Sequence, residues 1–313
     1  MVRIEFTIGT VLGVFGMLWA QVPPEQTDTI FRSETRLVVL HASAEDKEGR
    51  MVNGLSQGAF QVFENGLKQE IKGFRQEDVP VSLGLVIDSS ASMTKKRDRV
   101  AAAALALVKL SNPEDEVFIM NFDEAPSLDV DFTNDLDRLK KGLSHFNARG
   151  GTALRDAVRS AIEHLKGREK KDKKVLVVVT DGADNASLTS LDVVIRAAQQ
   201  SDVLIYTVGL LSEESPREAE KARTALETMA RATGGQSYLP GNVSEIDRIA
   251  PEIAHEIRNQ YTLSYNPINQ QLDGSFRQIR VLVNSPLVAS VRTRTGYYAT
   301  PDRQRPTTIP GSD

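Results

Sequence analysis

Residues 81–92 of the chain have the sequence VSLGLVIDSSAS. The part from Val81 to Ile87 is almost entirely apolar, and a run of this length is typical of a strand that is buried on both faces of a parallel sheet. Polar residues follow at once, beginning with Asp88. Ligands of open α/β sheets bind at the carboxyl ends of the strands, so this stretch predicts both a sheet and the edge where a site lies.

Three further apolar runs of the same kind follow along the chain, at Val117–Met120, Val175–Val179 and Val203–Val208. The segments between the runs have helical periodicity. One apolar face after the first run is formed by Val100, Ala104, Leu107 and Val108, and one before the third by Leu154, Val158, Ile162 and Leu165. Strands that alternate with helices predict a doubly wound, Rossmann-like α/β domain with a mostly parallel sheet and right-handed crossovers.

The last helix of this domain has an apolar stripe. The stripe consists of four isoleucines spaced by three and four residues: Ile246, Ile249, Ile253 and Ile257. This spacing places them on one face, which we expect to pack on the sheet. Pro251 lies within the same segment and lacks a backbone donor, so we expect it to kink or divide the helix.

The segments on either side of the α/β region have the pattern of short antiparallel strands. Residues 36–78 precede the predicted domain at 79–258, and residues 259–300 follow it. Neither flank has enough strands for a core of its own. We therefore expect the two flanks to pair into one small antiparallel β-sandwich, with the α/β domain inserted between its halves.

The two ends of the chain have different compositions. Residues 1–20 combine Arg3, an uncharged apolar stretch and a terminal Leu-Trp-Ala, which predicts a signal peptide and export to the periplasm or the medium. The alternative is an uncleaved segment that anchors the chain; the apolar run is short for a membrane-spanning helix, so none is expected in the mature chain. Residues 21–35 are predicted to be a linker and residues 301–313 a disordered tail.

Charge and residue types exclude several classes of function. The 313 residues have a formal net charge of −4, so no general basic field attracts nucleic acid, and none is expected as a partner. The sequence contains no cysteine, which rules out disulfides, thiolate nucleophiles and zinc sites that need sulfur.

A set of oxygen-bearing side chains is predicted to gather at the carboxyl edge of the sheet. Asp88, Ser90 and Ser92 follow the first strand, Thr152 follows Gly150-Gly151, and Asp181 follows the third apolar run. Hydroxyl and carboxylate oxygens without nitrogen or sulfur suit Mg²⁺, with Mn²⁺ or Ca²⁺ as alternatives. Asp184 and Asn185 follow Asp181 closely and could extend the polar rim, but residues of these types favour a simple turn.

The motif Asp88-x-Ser90-x-Ser92, with Thr152 in Gly-Gly-Thr and Asp181 in Thr-Asp-Gly, resembles the metal-ion-dependent adhesion site of von Willebrand factor type A domains. The resemblance implies that the three hydroxyls contact the metal and that the two carboxylates act largely through water. It also implies that the open coordination position accepts a carboxylate from a partner protein.

The flanks add a narrower resemblance, to a group of exported bacterial proteins related to von Willebrand factor A and first described in acidobacteria. The motifs that carry it are Asp46-Lys47-x-Gly49-Arg50, Phe60-x-Val62-x-Glu64-Asn65-Gly66, Gln69-x-Ile71, Asp273-Gly274-x-Phe276-Arg277 and Gly296-Tyr297-Tyr298.

Two functions use the predicted site, and a third does not need it. The first is an exported adhesion or assembly module without catalytic residues. The second is a metal-assisted hydrolase, for which Arg149 and Arg155 could attract an anionic substrate. Hydrolysis also needs a general acid or base, and the carboxylates in these loops are already assigned to the metal, so we favour binding. A structural envelope component with an inactive site is the third reading, and the intact donor set argues against it.

Overall fold

The computed structural model describes residues 37–144, 150–166, 171 and 173–301. These residues all belong to one compact unit. The predicted signal peptide and linker, and the tail beyond Pro301, lie outside the described residues. Within those ranges, no helix has the length and apolar character that crossing a membrane requires.

The described part of the chain contains fourteen strands and six α-helices. The strands are β1 (Val38–Glu45), β2 (Phe60–Glu64), β3 (Leu67–Gln69), β4 (Ile71–Arg75), β5 (Val81–Asp88), β6 (Glu116–Phe122), β7 (Pro126–Thr133), β8 (Lys173–Thr180), β9 (Val203–Gly209), β10 (Ser237–Tyr238), β11 (Tyr261–Tyr265), β12 (Phe276–Val283), β13 (Ser290–Arg292) and β14 (Gly296–Tyr298). The helices are α1 (Arg97–Lys109), α2 (Leu136–Ser144), α3 (Leu154–Lys166), α4 (Leu191–Gln200), α5 (Pro216–Thr233) and α6 (Ile246–Asn259).

The six-stranded central sheet confirms the predicted fold class. Its strand order is β10-β9-β8-β5-β6-β7, and only β7 runs antiparallel to its neighbour. Apolar side chains of α1, α2 and α6 pack on one face of this sheet, and those of α3, α4 and α5 pack on the other. The sheet is therefore covered on both sides, which explains why β5 and β9 are buried along their whole length and β8 at every residue except Lys174.

The sheet reverses its direction of growth at β5. The chain continues from β5 to β6 on one side, and it later returns to β8 on the other side of β5. β5 and β8 are neighbours in the sheet, and the loops that follow them lead in opposite directions from the same edge. This point of reversal is where open α/β sheets leave a crevice for a ligand.

The last helix differs from the sequence prediction in one respect. The four isoleucines of α6 are buried against the sheet, as the spacing predicted. Of the two outcomes expected at Pro251, a kink or a division, the division is wrong, because α6 runs as a single helix through that residue. Pro251 is exposed, so water can satisfy the carbonyl group that its ring leaves without a backbone donor.

Two four-stranded antiparallel sheets flank the α/β region. Their strand orders are β13-β1-β11-β4 and β14-β12-β2-β3, so each sheet combines strands from before and after the inserted segment. Leu40 of β1, for example, lies opposite Leu263 of β11. The two sheets share one apolar core, which includes Phe60 and Tyr261.

Candidate metal centre

Asp88 stands at the carboxyl end of β5 and is fully buried. Its Oδ1 accepts a hydrogen bond of 2.8 Å from the backbone N–H of Ser90, and its Oδ2 accepts one of 2.5 Å from Oγ1 of Thr180. Burial raises the pKa of the Asp88 carboxyl group, although these hydrogen bonds oppose the shift. A buried carboxylate of this kind gains from a nearby positive ion, which stabilises its charged form.

Ser90 and Ser92 connect the loop after β5 to the loop after β8. A short 3-10 turn at Ala91–Lys95 brings their Oγ atoms to 3.1 Å from each other. The hydroxyl of Ser92 also donates a hydrogen bond of 2.7 Å to Oδ1 of Asp181. Asp88, Ser90, Ser92 and Asp181 therefore form one continuous polar group, although the first and last are 93 positions apart in the sequence.

Thr152 reaches the same edge through a loop that two other loops hold in place. Its backbone N–H donates 2.8 Å to Oδ1 of Asn185, and its carbonyl oxygen accepts from the N–H of Asn185 at 3.1 Å. The next residue, Ala153, donates 2.7 Å to the carbonyl oxygen of Asp123. Gly151 permits this approach, because a Cβ atom there would lie only 2.7 Å from Asn185 Oδ1. The hydrogen bonds described for Thr152 are those of its backbone, and none joins its hydroxyl to the other four donors.

The loop after Asp181 does more than form a turn. Oδ1 of Asp184 accepts from the backbone N–H of Ser187 at 3.0 Å, which is the turn that the sequence predicted. Asp184 also accepts hydrogen bonds from Arg155, one from its backbone N–H at 2.8 Å and two from its guanidinium group. Asp184 and Asn185 thus position the start of α3 and the Thr152 loop.

Lys96 is a member of the site that the sequence analysis missed. The residue is only 5% exposed, and its Nζ lies 2.8 Å from Asp181 Oδ2 and 2.9 Å from Glu213 Oε2. Burial opposes the charge of Lys96, but the hydrogen bonds to these two carboxylates outweigh burial and raise the pKa of the ammonium group. Lys95, Lys96 and Arg97 are adjacent in the sequence, and composition alone does not indicate which of the three turns inward.

The arrangement has the chemistry of a site for a hard cation. Asp88, Ser90, Thr152 and Asp181 are buried, whereas Ser92 is exposed at the rim. The five predicted side chains offer only carboxylate and hydroxyl oxygens, which are the ligands that Mg²⁺, Mn²⁺ and Ca²⁺ prefer. In the part of the chain that the structure describes, no three His, Cys, Asp or Glu side chains are grouped as a metal site.

Of the two arginines that could attract an anionic substrate, the structure describes Arg155, which is already paired. Arg155 has its guanidinium group on Asp184, with Nε at 3.0 Å from Oδ2. Arg149 lies outside the described residues. The structure therefore offers no support for Arg155 as an anion-binding group.

Comparison with known proteins agrees with the fold. The family described as the von Willebrand factor type A domain matches residues 83–183. Calcium-activated chloride channel regulator 1 of Mus musculus is 31% identical over 164 residues, which cover 49% of this chain and 16% of that protein. An uncharacterized protein of Borreliella burgdorferi is 24% identical over 191 residues, covering 60% of this chain and 54% of that protein. The chain thus spans only part of the length of these curated relatives.

A solved structure shows the same fold over part of the chain. Proximal thread matrix protein 1 from the mussel byssus superposes with a TM-score of 0.50 at 14% identity, over 62% of this chain and 51% of that one. The von Willebrand factor domain of the type V pili tip protein Mfa5 from Porphyromonas gingivalis gives a TM-score of 0.46 at 15% identity, over 57% and 97% of the two chains.

Proposed function

Because the chain contains a von Willebrand factor type A domain, a module that generally mediates protein–protein interaction or adhesion, we propose that it is an exported binding protein. In this proposal a divalent cation is held at the carboxyl edge of the central sheet. The partner is a protein that contributes a carboxylate group. The narrower resemblance to the exported bacterial group supports the same reading and stays a prediction.

One observation carries the proposal: the polar group that runs from Asp88 through Ser90 and Ser92 to Asp181. Its members lie at the ends of two neighbouring strands, β5 and β8, or in the loops that follow them. Each of the three hydrogen bonds that join these members is 3.1 Å or shorter. Serine hydroxyls are common helix caps, but neither the 3-10 turn nor α1 has a side-chain cap in this region. A ligand-binding role accounts for their placement better than capping does.

The residues at the site have two roles, binding the ion and positioning the residues that bind it. Asp88, Ser90, Ser92, Thr152 and Asp181 would hold the ion, with the buried carboxylates supplying negative charge and the hydroxyls supplying neutral oxygen donors. When bound, the ion supplies a Lewis-acidic position that accepts a carboxylate oxygen. Thr180 and Asn185 orient Asp88 and the Thr152 loop, and the exposed position of Ser92 marks the side from which a partner can approach.

A metal-assisted hydrolase is the second candidate for the same residues. It would need an additional group to accept or donate a proton beside the ion. Arg155, one of the two arginines that had favoured an anionic substrate, is paired with Asp184, and Arg149 lies outside the described residues. A binding module therefore fits the geometry better than an enzyme, and better than a structural component whose donors have no role.

Thermal unfolding with and without Mg²⁺ tests the metal site. A cation at ~100 times its Kd stabilises the native state by ~2.7 kcal/mol when it binds only the folded form. We expect this gain in the wild type and its loss in Ser90→Ala/Ser92→Ala and in Asp88→Ala. Thr94→Ala is the matched control, because Thr94 lies in the same 3-10 turn and the hydrogen bond described for its hydroxyl goes to the carbonyl oxygen of Ala91. Equal stabilisation of all variants would contradict the proposed ligands.

Binding to partners tests the function itself. The purified chain is immobilised and exposed to an extract of the cell envelope, once in the presence of Mg²⁺ and once in the presence of EDTA. Ser90→Ala/Ser92→Ala, treated in the same way, serves as the reference. We expect proteins that are retained only by the wild type and only with Mg²⁺. Blocking the carboxylates of the retained proteins by amidation should release them; retention that survives amidation would contradict a carboxylate contact.

A further inference from the structure

Lys96 places a fixed positive charge directly on a proposed metal ligand. Its Nζ contacts Oδ2 of Asp181 at 2.8 Å, while Oδ1 of the same carboxylate accepts the hydrogen bond of Ser92. Both oxygens of Asp181 are therefore engaged by groups of the chain itself. A cation bound by this carboxylate has to share it with an ammonium group of the same sign.

Lys96 also has a second carboxylate within reach. Glu213 belongs to a 3-10 turn at Leu211–Glu213 that follows β9, and its Oε2 lies 2.9 Å from Nζ. The two partners of the lysine differ in their surroundings, because the side chain of Asp181 is fully buried and that of Glu213 is 69% exposed. Glu213 can move without opening the core, whereas Asp181 cannot.

From this geometry we propose that Lys96 is an internal counter-ion that weakens cation binding at the site, and that Glu213 limits this effect by drawing the lysine charge away from Asp181. The inference rests on the proposed function, since it concerns the regulation of the same site. Like charges repel strongly at short range in a buried environment, so removal of the lysine should tighten binding of a divalent ion. Removal of Glu213 should have the opposite effect, because Asp181 is then left as the remaining carboxylate partner described for Lys96.

Isothermal titration calorimetry with Mn²⁺ on the purified chain tests the proposal. We expect Lys96→Met to bind Mn²⁺ at least about tenfold more tightly than the wild type, and Glu213→Gln to bind it about three- to tenfold more weakly. In the double variant the loss caused by Glu213→Gln should disappear, because the charge that Glu213 balances is gone. Lys95→Met is the matched control; it changes the net charge equally at an exposed position, and its affinity should stay within about twofold of the wild type.

The outcomes separate this inference from the proposed function. Mn²⁺ binding that is lost in Ser90→Ala/Ser92→Ala but does not respond to Lys96 or Glu213 overturns the inference and leaves the metal site in place. An absence of Mn²⁺ binding in the wild type and in every variant overturns both. If Lys96→Met does not fold, as circular dichroism would show, Glu213→Gln decides, because an unchanged affinity in that exposed variant overturns the inference.

Discussion

The hydroxyl group of Ser43, in β1, donates a hydrogen bond of 2.9 Å to Oε1 of Glu256, in α6. The same carboxylate accepts a hydrogen bond of 3.0 Å from Tyr206 of the central sheet and lies 2.8 Å from the guanidinium group of Arg292 in β13. Glu256 is only 4% exposed. These contacts link α6, the last helix of the α/β region, to two strands of the β-sandwich. One is β1, which precedes the α/β region in the sequence, and the other is β13, which follows it.

Glu256→Ala should reduce the free energy of unfolding by about 3–5 kcal/mol, because it leaves the half-buried charge of Arg292 with one partner fewer and the buried hydroxyls of Ser43 and Tyr206 without the acceptor described for them. Urea titration followed by circular dichroism measures the change. Glu252→Ala on the exposed side of the same helix is the control, with an expected loss below ~1 kcal/mol. Similar losses in the two variants would show that the buried network does not stabilise the fold.

Asp115 should make stability depend on pH in the acid range. Burial raises the pKa of this carboxyl group to about 6, although the backbone N–H groups of Val81 and Asn112 donate to it. The folded chain therefore holds this proton more tightly than the unfolded chain does. The resulting stabilisation is complete below pH ~4, near the pKa of an unfolded Asp, and is lost as the pH rises through about 6.

Comparison of the wild type with Asp115→Asn isolates this contribution. Since one pKa unit corresponds to about 1.4 kcal/mol, the wild type should lose up to about 3 kcal/mol relative to the variant between pH 4 and pH 7.5. Chemical denaturation at several pH values measures the difference, and Glu114→Gln at the exposed neighbouring position should run parallel to the wild type. A constant difference between wild type and Asp115→Asn would contradict the raised pKa.

Glu64 of β2 accepts hydrogen bonds from two tyrosines, Tyr265 of the opposite sheet of the β-sandwich and Tyr297 of its own sheet. Its Oε2 accepts a hydrogen bond of 2.7 Å from Tyr265 and one of 2.9 Å from Tyr297, and Glu64 is 3% exposed. Tyr265→Phe and Tyr297→Phe should each lower the free energy of unfolding by about 1–3 kcal/mol. The double variant should deviate from the sum of the two, because both hydroxyls serve one carboxylate. Strict additivity in thermal or urea unfolding would indicate that the two bonds are independent.

The sequence predicted the interior of the fold better than its edges. β5, β8 and β9 were recognisable because strands buried on both faces consist of continuous apolar runs, and α3 because its apolar side chains share one face. β7 was not predicted, since an edge strand that buries only Val130 has no such run. α2 and α5 were also missed.

The candidate site shows the same limit. Asp88, Ser90 and Ser92 are close in sequence and were identified together with Asp181 by their place at strand ends. Lys96 was missed, because its inward position depends on where the loop after β9 carries Glu213, and a basic run in the sequence is most often exposed. Tyr265, a partner of Glu64, and Ser43, a partner of Glu256, are each more than 200 positions away from that glutamate in the sequence. No local pattern therefore reveals these contacts.

Thr180 offers a test of how the carboxylate of Asp88 is held. Thr180 is fully buried at the end of β8, and its hydroxyl is the donor to Asp88 Oδ2. Thr180→Val keeps the shape of the side chain but removes the donor, so we expect the free energy of unfolding in EDTA to fall by about 1–3 kcal/mol. The pKa of Asp88 should rise further, because the hydrogen bond that favours its charged form is lost, and Mg²⁺ binding should weaken as a result. Thr180→Ser retains the hydroxyl and should preserve most of the Mg²⁺ affinity measured by calorimetry; a Thr180→Val protein with wild-type stability and affinity would show that this hydrogen bond does not prepare Asp88 for a cation.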